Sequence, residues 1–281
     1  MIWVLVPAYN EAKNLPRVLA QINSEMRSQK LDYRLLVIND GSTDDTARIL
    51  MEAQAKLPLT VISHLLNRGL GETERDAFEF VAFHCDPSDL IVRVEGDATH
   101  DPNYIPLLLK KIEEGYDVVS TSRFQPGGGQ VGISTYRNVV SLLANFFMRI
   151  VFQIPGIRDL SCGYRVYQGE VIQDAIQIYG DSFIQLRGLG FTSTVETIIK
   201  LYLLGCRFSE IPFVLRYDQK QGNSKMVTSS TTLGYLTMAI LFYWPFGGWS
   251  QQYRGLRGLY KKDRTHAMKK FKRRGVPGNS L

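Results

Sequence analysis

The chain has 281 residues, 44% of them hydrophobic, which suits one large α/β domain with an appendage or two small domains and excludes wholesale disorder. Its formal charge is +6, but from Arg254 onward ten Lys and Arg stand against one acid, Asp263, so the tail carries +9 and residues 1–253 carry −3. The three cysteines, Cys85, Cys162 and Cys206, are widely spaced with no CxxC or metal-ligand pattern, which points to a reducing compartment.

Residues 2–6 (IWVLV) read as a buried strand and not as a signal peptide, because no basic stretch precedes them and the apolar run stops at Pro7. The pattern then predicts an amphipathic helix over 14–26, a strand over 34–40 ending in the turn GST, and a helix over 44–56 with Thr43 and Asp44 as N-caps. A strand over 59–64, a helix over 72–84, a strand over 90–97 ending in acids, a helix over 105–114 and a strand over 117–123 follow. This alternation predicts βαβ units and a largely parallel sheet. Beyond it, 125–132 (QPGGGQVG) reads as a mobile glycine-rich loop and 135–153 as a helix. Residues 159–168 read as a loop entering a strand, 194–204 as a helix and 207–217 as a strand. No internal repeat is found.

Residues 227–253 contain no charge, and their apolar centre, 233–249, is close to the minimum for a bilayer span. Thr237, Pro245 and the Gly247–Gly248 pair weaken a span, while Tyr235, Tyr243, Trp244 and Trp249 favour the water–lipid interface. An interfacial or re-entrant helix is the first reading, a single span the second and a buried core helix the third. The domain division expected is therefore a catalytic unit over 1–226 and a membrane-associated segment with a basic tail over 227–281.

Three predicted strands end in polar residues: Pro7-Ala8-Tyr9-Asn10-Glu11, Asn39-Asp40-Gly41-Ser42 and Glu95-Gly96-Asp97. Open α/β sheets bind ligands beyond those ends. Acids gathered there repel an anionic ligand unless a cation bridges them, so a nucleotide diphosphate with Mg²⁺ or Mn²⁺ fits. Glu95 and Asp97, two apart on an extended segment, face one side and can reach one metal or its waters. Read alone, such a pair is a solvated acidic turn, and an Asx-Gly turn such as Asp40-Gly41 is common anywhere. Arg123 ends a strand, Arg137 and Ser141 share a helix face, and Arg216 and Lys225 flank a polar loop. Such cations suit phosphate, although each singly is also ordinary surface charge. No Walker A or GxGxxG sequence occurs, which argues against a P-loop kinase or a dinucleotide oxidoreductase.

Together the stretches VPAYNEAKNL (6–15), VINDGSTDDT (37–46), NRGLG (67–71), VEGDATHDP (94–102), TSRFQPGGG (121–129), RNVVS (137–141), DLSCGYRVY (159–167), GFTSTVE (190–196) and EIPFVLRYDQKQGNSKM (210–226) resemble family 2 of the glycosyltransferases. Within it they resemble the dolichol-phosphate mannose synthase and polyprenyl-phosphate glycosyltransferase group. The resemblance implies a GT-A fold and metal-dependent, inverting transfer from GDP-mannose or a UDP-hexose to a polyprenyl or dolichyl phosphate. It implies that Pro7, Tyr9, Glu11, Asp40 and Gly96 hold the donor and that Asp97 with Glu95 binds Mg²⁺ or Mn²⁺. Arg123, Arg137 and Ser141 would hold the acceptor phosphate, and Arg216 and Lys225 would close over the donor diphosphate. Glu95 and Asn39 depart from the aspartates usual there, and Thr99 from a frequent Gln. The spacing before Ser224-Lys225 is long, which gives Lys220 a claim to the role of Arg216.

A lipid phosphate is already an anion, so no general base is nominated. Two other readings stay open: a family 2 transferase with a non-lipid glycan acceptor, and an inactive, membrane-recruited binding module. Nucleic acid is not an expected partner, because Tyr260 and Phe271 are too few aromatics for a stacking platform in the tail. The tail charge places the site on the cytoplasmic face of a membrane.

Overall fold

The computed structural model describes residues 1–222, 228–243 and 248–272. In chain order it runs β1 (Ile2–Ala8), α1 (Leu15–Ser28), β2 (Tyr33–Asn39), α2 (Thr46–Gln54), β3 (Leu59–Ser63), α3 (Leu70–His84), β4 (Leu90–Arg93), α4 (Ile105–Glu113) and β5 (Val118–Ser122). There follow β6 (Gly129–Val131), α5 (Thr135–Phe152), β7 (Arg165–Gln168), α6 (Gly169–Tyr179), α7 (Thr192–Leu204), β8 (Phe208–Pro212) and β9 (Val214–Arg216). The chain then continues through α8 (Thr228–Tyr243), α9 (Trp249–Gln252), α10 (Leu256–Lys262) and α11 (Arg264–Phe271). Lys225 and residues 244–247 of the expected apolar segment lie outside the described residues.

Seven strands form one sheet in the order β3-β2-β1-β4-β7-β5-β8. All neighbours pair in parallel except β7, which is antiparallel to both β4 and β5. Successive strand side chains point to opposite faces. Val4 and Val6 of β1 pack with Leu15, Val18 and Ile22 of α1, while Trp3 and Leu5 pack with Phe78 and Val81 of α3. Helices cover both faces, which is why the parallel strands read as unbroken apolar runs. In α1 the buried Leu15, Val18, Leu19, Ile22 and Met26 recur at three- and four-residue spacing, each worth roughly 1.5–3 kcal/mol of burial.

Two expectations need correction. The glycine-rich stretch is not a free loop, because β6 pairs in parallel with β9, Gly129 opposite Val214 and Val131 opposite Arg216. The strand expected over 207–217 breaks at Phe213, whose amide donates to Ser122 O and whose carbonyl accepts from Gly129 N. The helices that follow the expected boundary at 226/227 pack on the core of the preceding unit. Met238, Phe242, Trp249, Tyr253, Leu256 and Ala267 join the same buried cluster as α3, α6 and α7. Gly234 lies so close to α7 that a Cβ there would stand 2.0 Å from Thr192 Cγ2. The buried Lys200 ammonium sits 3.8 Å from the Trp249 ring centre, and Asp174 accepts from Tyr260 Oη at 2.5 Å and Arg264 Nη2 at 2.8 Å.

The 16 described residues of α8 cover about 24 Å, against a hydrocarbon core of about 30 Å. No helix among the described residues is long and apolar enough to cross a membrane. One side of α8 buries Met238 and Phe242, and the other leaves Leu233, Leu236 and Ile240 exposed.

Candidate active site

A cleft of about 830 Å³ opens beyond the carboxyl ends of β1, β2 and β4. Pro7, Tyr9, Glu11, Asp40, Glu95, Gly96, Asp97, Arg123, Arg137 and Ser141 all line it. Arg216 does not: its guanidinium forms two bonds to Asp218, at 2.8 and 2.7 Å, which turn it to the surface. Lys220 lines the cleft in its stead. The chain bends sharply beyond two strand ends, with Asn10 at φ 51°, a left-handed conformation that Asn tolerates, and Ala98 at φ 64°, which costs an alanine strain.

On the donor side, Asn10 interlocks the first two strand ends. Its Oδ1 accepts the Thr43 amide at 2.7 Å, and its own amide donates to Ser42 Oγ at 2.9 Å. Asp40 is spent on the protein itself. Its carboxylate accepts from Asn67 Nδ2 at 2.9 Å, Arg68 N at 2.9 Å and Gly69 N at 2.8 Å, and His64 Nδ1 lies 2.6 Å away. What Asp40 presents to a ligand is therefore the ordered turn Asn67–Gly69, whose residues also line the cleft. Glu11 Oε2 accepts from Asn14 Nδ2 at 2.7 Å.

The acidic turn sits against β1 because residue 96 is glycine, where a Cβ would lie 2.9 Å from the Pro7 carbonyl oxygen. Its two carboxylates are each matched by a cation of this chain. Glu95 Oε1 is 2.7 Å from Arg93 Nη1, and the buried Arg93 also reaches Glu74 Oε1 at 2.7 Å. Asp97 Oδ2 is 2.6 Å from Lys220 Nζ, and its Oδ1 accepts the Thr99 hydroxyl at 2.6 Å. Burial opposes the charge on both. For Asp97 the Lys220 ammonium prevails and the carboxyl stays below its usual range, whereas burial with the nearby Asp97 and Glu74 charges outweighs Arg93 and raises Glu95.

The basic side is built round Arg123. Its guanidinium donates to Asp159 at 2.7 and 2.8 Å, to Ser161 Oγ at 2.6 Å and to Ser141 Oγ at 3.3 Å. Asp159, itself fully buried, is held ionised by that arginine against the cost of burial. Arg137 is exposed at the cleft rim in the first turn of α5, a helix whose N-cap Ser134 accepts the Arg137 amide. From α8, Thr231 and Tyr235 complete the wall, and burial pushes the Tyr235 hydroxyl up to about 12. Arg187 enters from the loop before α7. Arg68, Asp159 and Arg187 were not singled out from sequence, and Tyr235 was read only as an interface aromatic. Arg68 and Asp159 did lie inside quoted stretches, but Arg187 carried no local signal.

The sequence model described as Glycosyl transferase family 2 matches residues 3–175. The chain is 28% identical over 226 residues to a dolichol-phosphate mannosyltransferase of Pyrococcus furiosus, covering 79% of this chain and 58% of that one. It is 33% identical over 171 residues to an undecaprenyl-phosphate 4-deoxy-4-formamido-L-arabinose transferase of Klebsiella pneumoniae, covering 60% of this chain and 49% of that one. The chain thus spans only about half the length of these relatives. In fold it is similar to glucosyl-3-phosphoglycerate synthase of Mycobacterium tuberculosis solved with Mn²⁺, UDP and glucosyl-3-phosphoglycerate, with a TM-score of 0.57 at 16% identity over 86% of this chain and 78% of that one. The same enzyme with Mg²⁺ and UDP gives a TM-score of 0.58 at 17% identity over the same shares.

Proposed function

We propose that this chain, which belongs to glycosyl transferase family 2, moves a sugar from a nucleotide-sugar to the phosphate of a polyprenyl-type lipid at the cytoplasmic surface of a membrane. One observation carries the reading: a single cleft has an acidic turn on one side, a phosphate-suited Arg123–Arg137–Ser141 set on the other, and an apolar exit. That exit lies between α5 and α8, where Val140, Ala144 and Tyr235 line the cleft. Outside it, Val139, Leu143, Phe146 and Ile150 continue from Tyr136 at the cleft as an exposed stripe along α5, and Leu233, Leu236, Ile240 and Tyr243 form another along α8. The two helices pack together, with Tyr243 Oη donating to Val151 O. Apolar stripes of this extent suit a lipid surface better than water.

Pro7, Tyr9, Glu11 and the Asn67–Gly69 turn held by Asp40 would hold the nucleoside. Asp97 fits a divalent cation, Mg²⁺ or Mn²⁺, because its carboxylate faces the cleft and is met there by a cationic group already. Glu95 is a poorer ligand while Arg93 holds it. Among the described residues no three His, Cys, Asp or Glu side chains cluster, and donor oxygens and water would complete the shell of such a cation. When bound, the cation offsets charge developing on the leaving nucleoside diphosphate. Lys220, and Lys225 by the family resemblance, would add to that. Arg123 and Arg137 would orient the acceptor phosphate, which attacks as an anion without a general base. Direct displacement inverts the anomeric centre.

The test is incubation with Mn²⁺, GDP-mannose and a panel of UDP-hexoses, and a short polyprenyl phosphate, with products read by mass. A glycolipid is expected. Transfer to soluble glycans alone would move the non-lipid reading to first place, and no turnover of any nucleotide sugar would leave the inactive binding module.

A further inference from the structure

The Lys220–Asp97 pair is built with care that a surface ion pair does not receive. The two side chains are 11% and 15% exposed, and the ammonium lies on the one Asp97 oxygen that Thr99 does not use. Lys220 follows a short 3-10 turn, Tyr217–Gln219, that is fastened to α1. Gln219 Oε1 accepts from Arg17 at 2.6 Å, and Asn14 exchanges two bonds of 2.9 Å with the backbone of Gln221. The lysine is thereby delivered to the acidic turn from across the cleft. The other carboxylate of the turn is already engaged at one oxygen, since Glu95 Oε1 is paired with Arg93.

A divalent cation cannot join Asp97 Oδ2 while an ammonium stands 2.6 Å from it, because two positive charges would meet at contact distance. We propose that Lys220 is a placeholder cation: it occupies Asp97 until a donor diphosphate offers it a replacement anion, so that metal and nucleotide enter together and neither binds well alone. The proposal rests on the assignment of the divalent cation to Asp97. It gives Lys220 two partners in sequence, Asp97 in the empty cleft and the diphosphate in the loaded one. By linkage, whatever factor the nucleotide adds to metal affinity, the metal adds to nucleotide affinity.

The experiment is titration of the full chain with Mn²⁺, with free Mn²⁺ read by electron paramagnetic resonance, in the absence and presence of GDP or UDP. The wild-type chain is expected to bind Mn²⁺ alone at least about tenfold more weakly than with nucleotide, the worth of one charge-assisted hydrogen bond. Lys220→Gln, checked for folding by circular dichroism, should bind Mn²⁺ alone about tenfold more tightly than wild type, and the gain from nucleotide should shrink by about the same factor, the remainder being direct ligation by nucleotide oxygens. Asp97→Asn should abolish Mn²⁺ binding in every condition. If Lys220→Gln leaves the affinity for Mn²⁺ alone unchanged while nucleotide still promotes binding, the placeholder role is wrong and the metal assignment stands. If Mn²⁺ binds neither protein even with nucleotide, the metal assignment falls and the placeholder with it.

Discussion

His100 Nδ1 accepts the Glu95 amide proton at 3.1 Å, and its ring stacks on Tyr164 with centroids 4.9 Å apart, so the imidazole is needed in its neutral form. Burial, reinforced by the Arg93 charge, lowers its pKa from 6.5 to about 3. The unfolded chain therefore takes up a proton near pH 6.5 that the folded chain refuses. Stability from this group is complete above pH 6.5 and declines as pH falls from there toward 3. At pH 5.5 the loss is about 1.4 kcal/mol relative to neutral pH. Urea unfolding at pH 7.5 and 5.5 should show that loss in the wild type, beyond what other groups contribute, and His100→Gln should remove it. An unchanged difference in the variant would mean that His100 is not the group concerned. Asp159 answers to the same logic with a different partner. Its side chain is 0% exposed, and Asp159→Asn would leave Arg123 buried beside a neutral amide. A loss of roughly 3–5 kcal/mol in urea unfolding is expected. A loss below about 1 kcal/mol would place the arginine in contact with water.

The elements before residue 123 were legible because each parallel strand is a short apolar run closed by turn residues, and α1 through α4 carry plain helical spacing. The acidic turn and the arginine at the end of β5 could be read for the same reason: strand ends advertise themselves. Other parts were not legible. Nothing local distinguishes β7 as the antiparallel strand wedged between β4 and β5, and α6 follows it without a break at Gln168–Gly169. The partners of Arg216 and Glu95 depend on where side chains meet in three dimensions. The C-terminal helices were read from charge, which concealed their attachment. Lys200, on α7, has Trp249 3.8 Å away and Tyr179 and Tyr253 at 5.5 Å, and it donates to Gln185 Oε1 at the start of the cleft loop. Trp249→Ala should therefore uncover a buried cation as well as open a cavity. A destabilisation of roughly 3–5 kcal/mol in urea is expected. If the loss stays under about 1 kcal/mol, α9 to α11 are an appendage after all.

For the whole molecule, composition pointed to the uncharged segment and the +9 tail as the route to a membrane. The structure distributes the exposed apolar surface differently. The tail begins docked on α6, where Asp174 takes Arg264, and the exposed apolar surface is shared between α8 and a helix that sequence reading had treated as ordinary, α5. Sequence could not reveal this, because an apolar face reads alike whether a fold covers it or leaves it bare. If the α5 and α8 stripes hold the membrane, apolar contact should outweigh tail charge. Each Lys or Arg near an anionic surface contributes about 1 kcal/mol and is screened by salt, whereas a fully inserted Leu or Phe contributes roughly 1.5–3 kcal/mol whatever the salt. Leu143 and Phe146 are exposed and do not line the cleft. The double variant Leu143→Glu/Phe146→Glu should then weaken vesicle binding by about 100-fold or more in flotation, while the affinity for GDP or UDP and the urea midpoint stay at wild-type values. Transfer to a long polyprenyl phosphate in vesicles should fall with it, and transfer to a short, dispersed one should persist. Raising salt should release the wild type from anionic vesicles only in part. Complete release by salt, with the double variant still bound at low salt, would return the membrane contact to the basic tail.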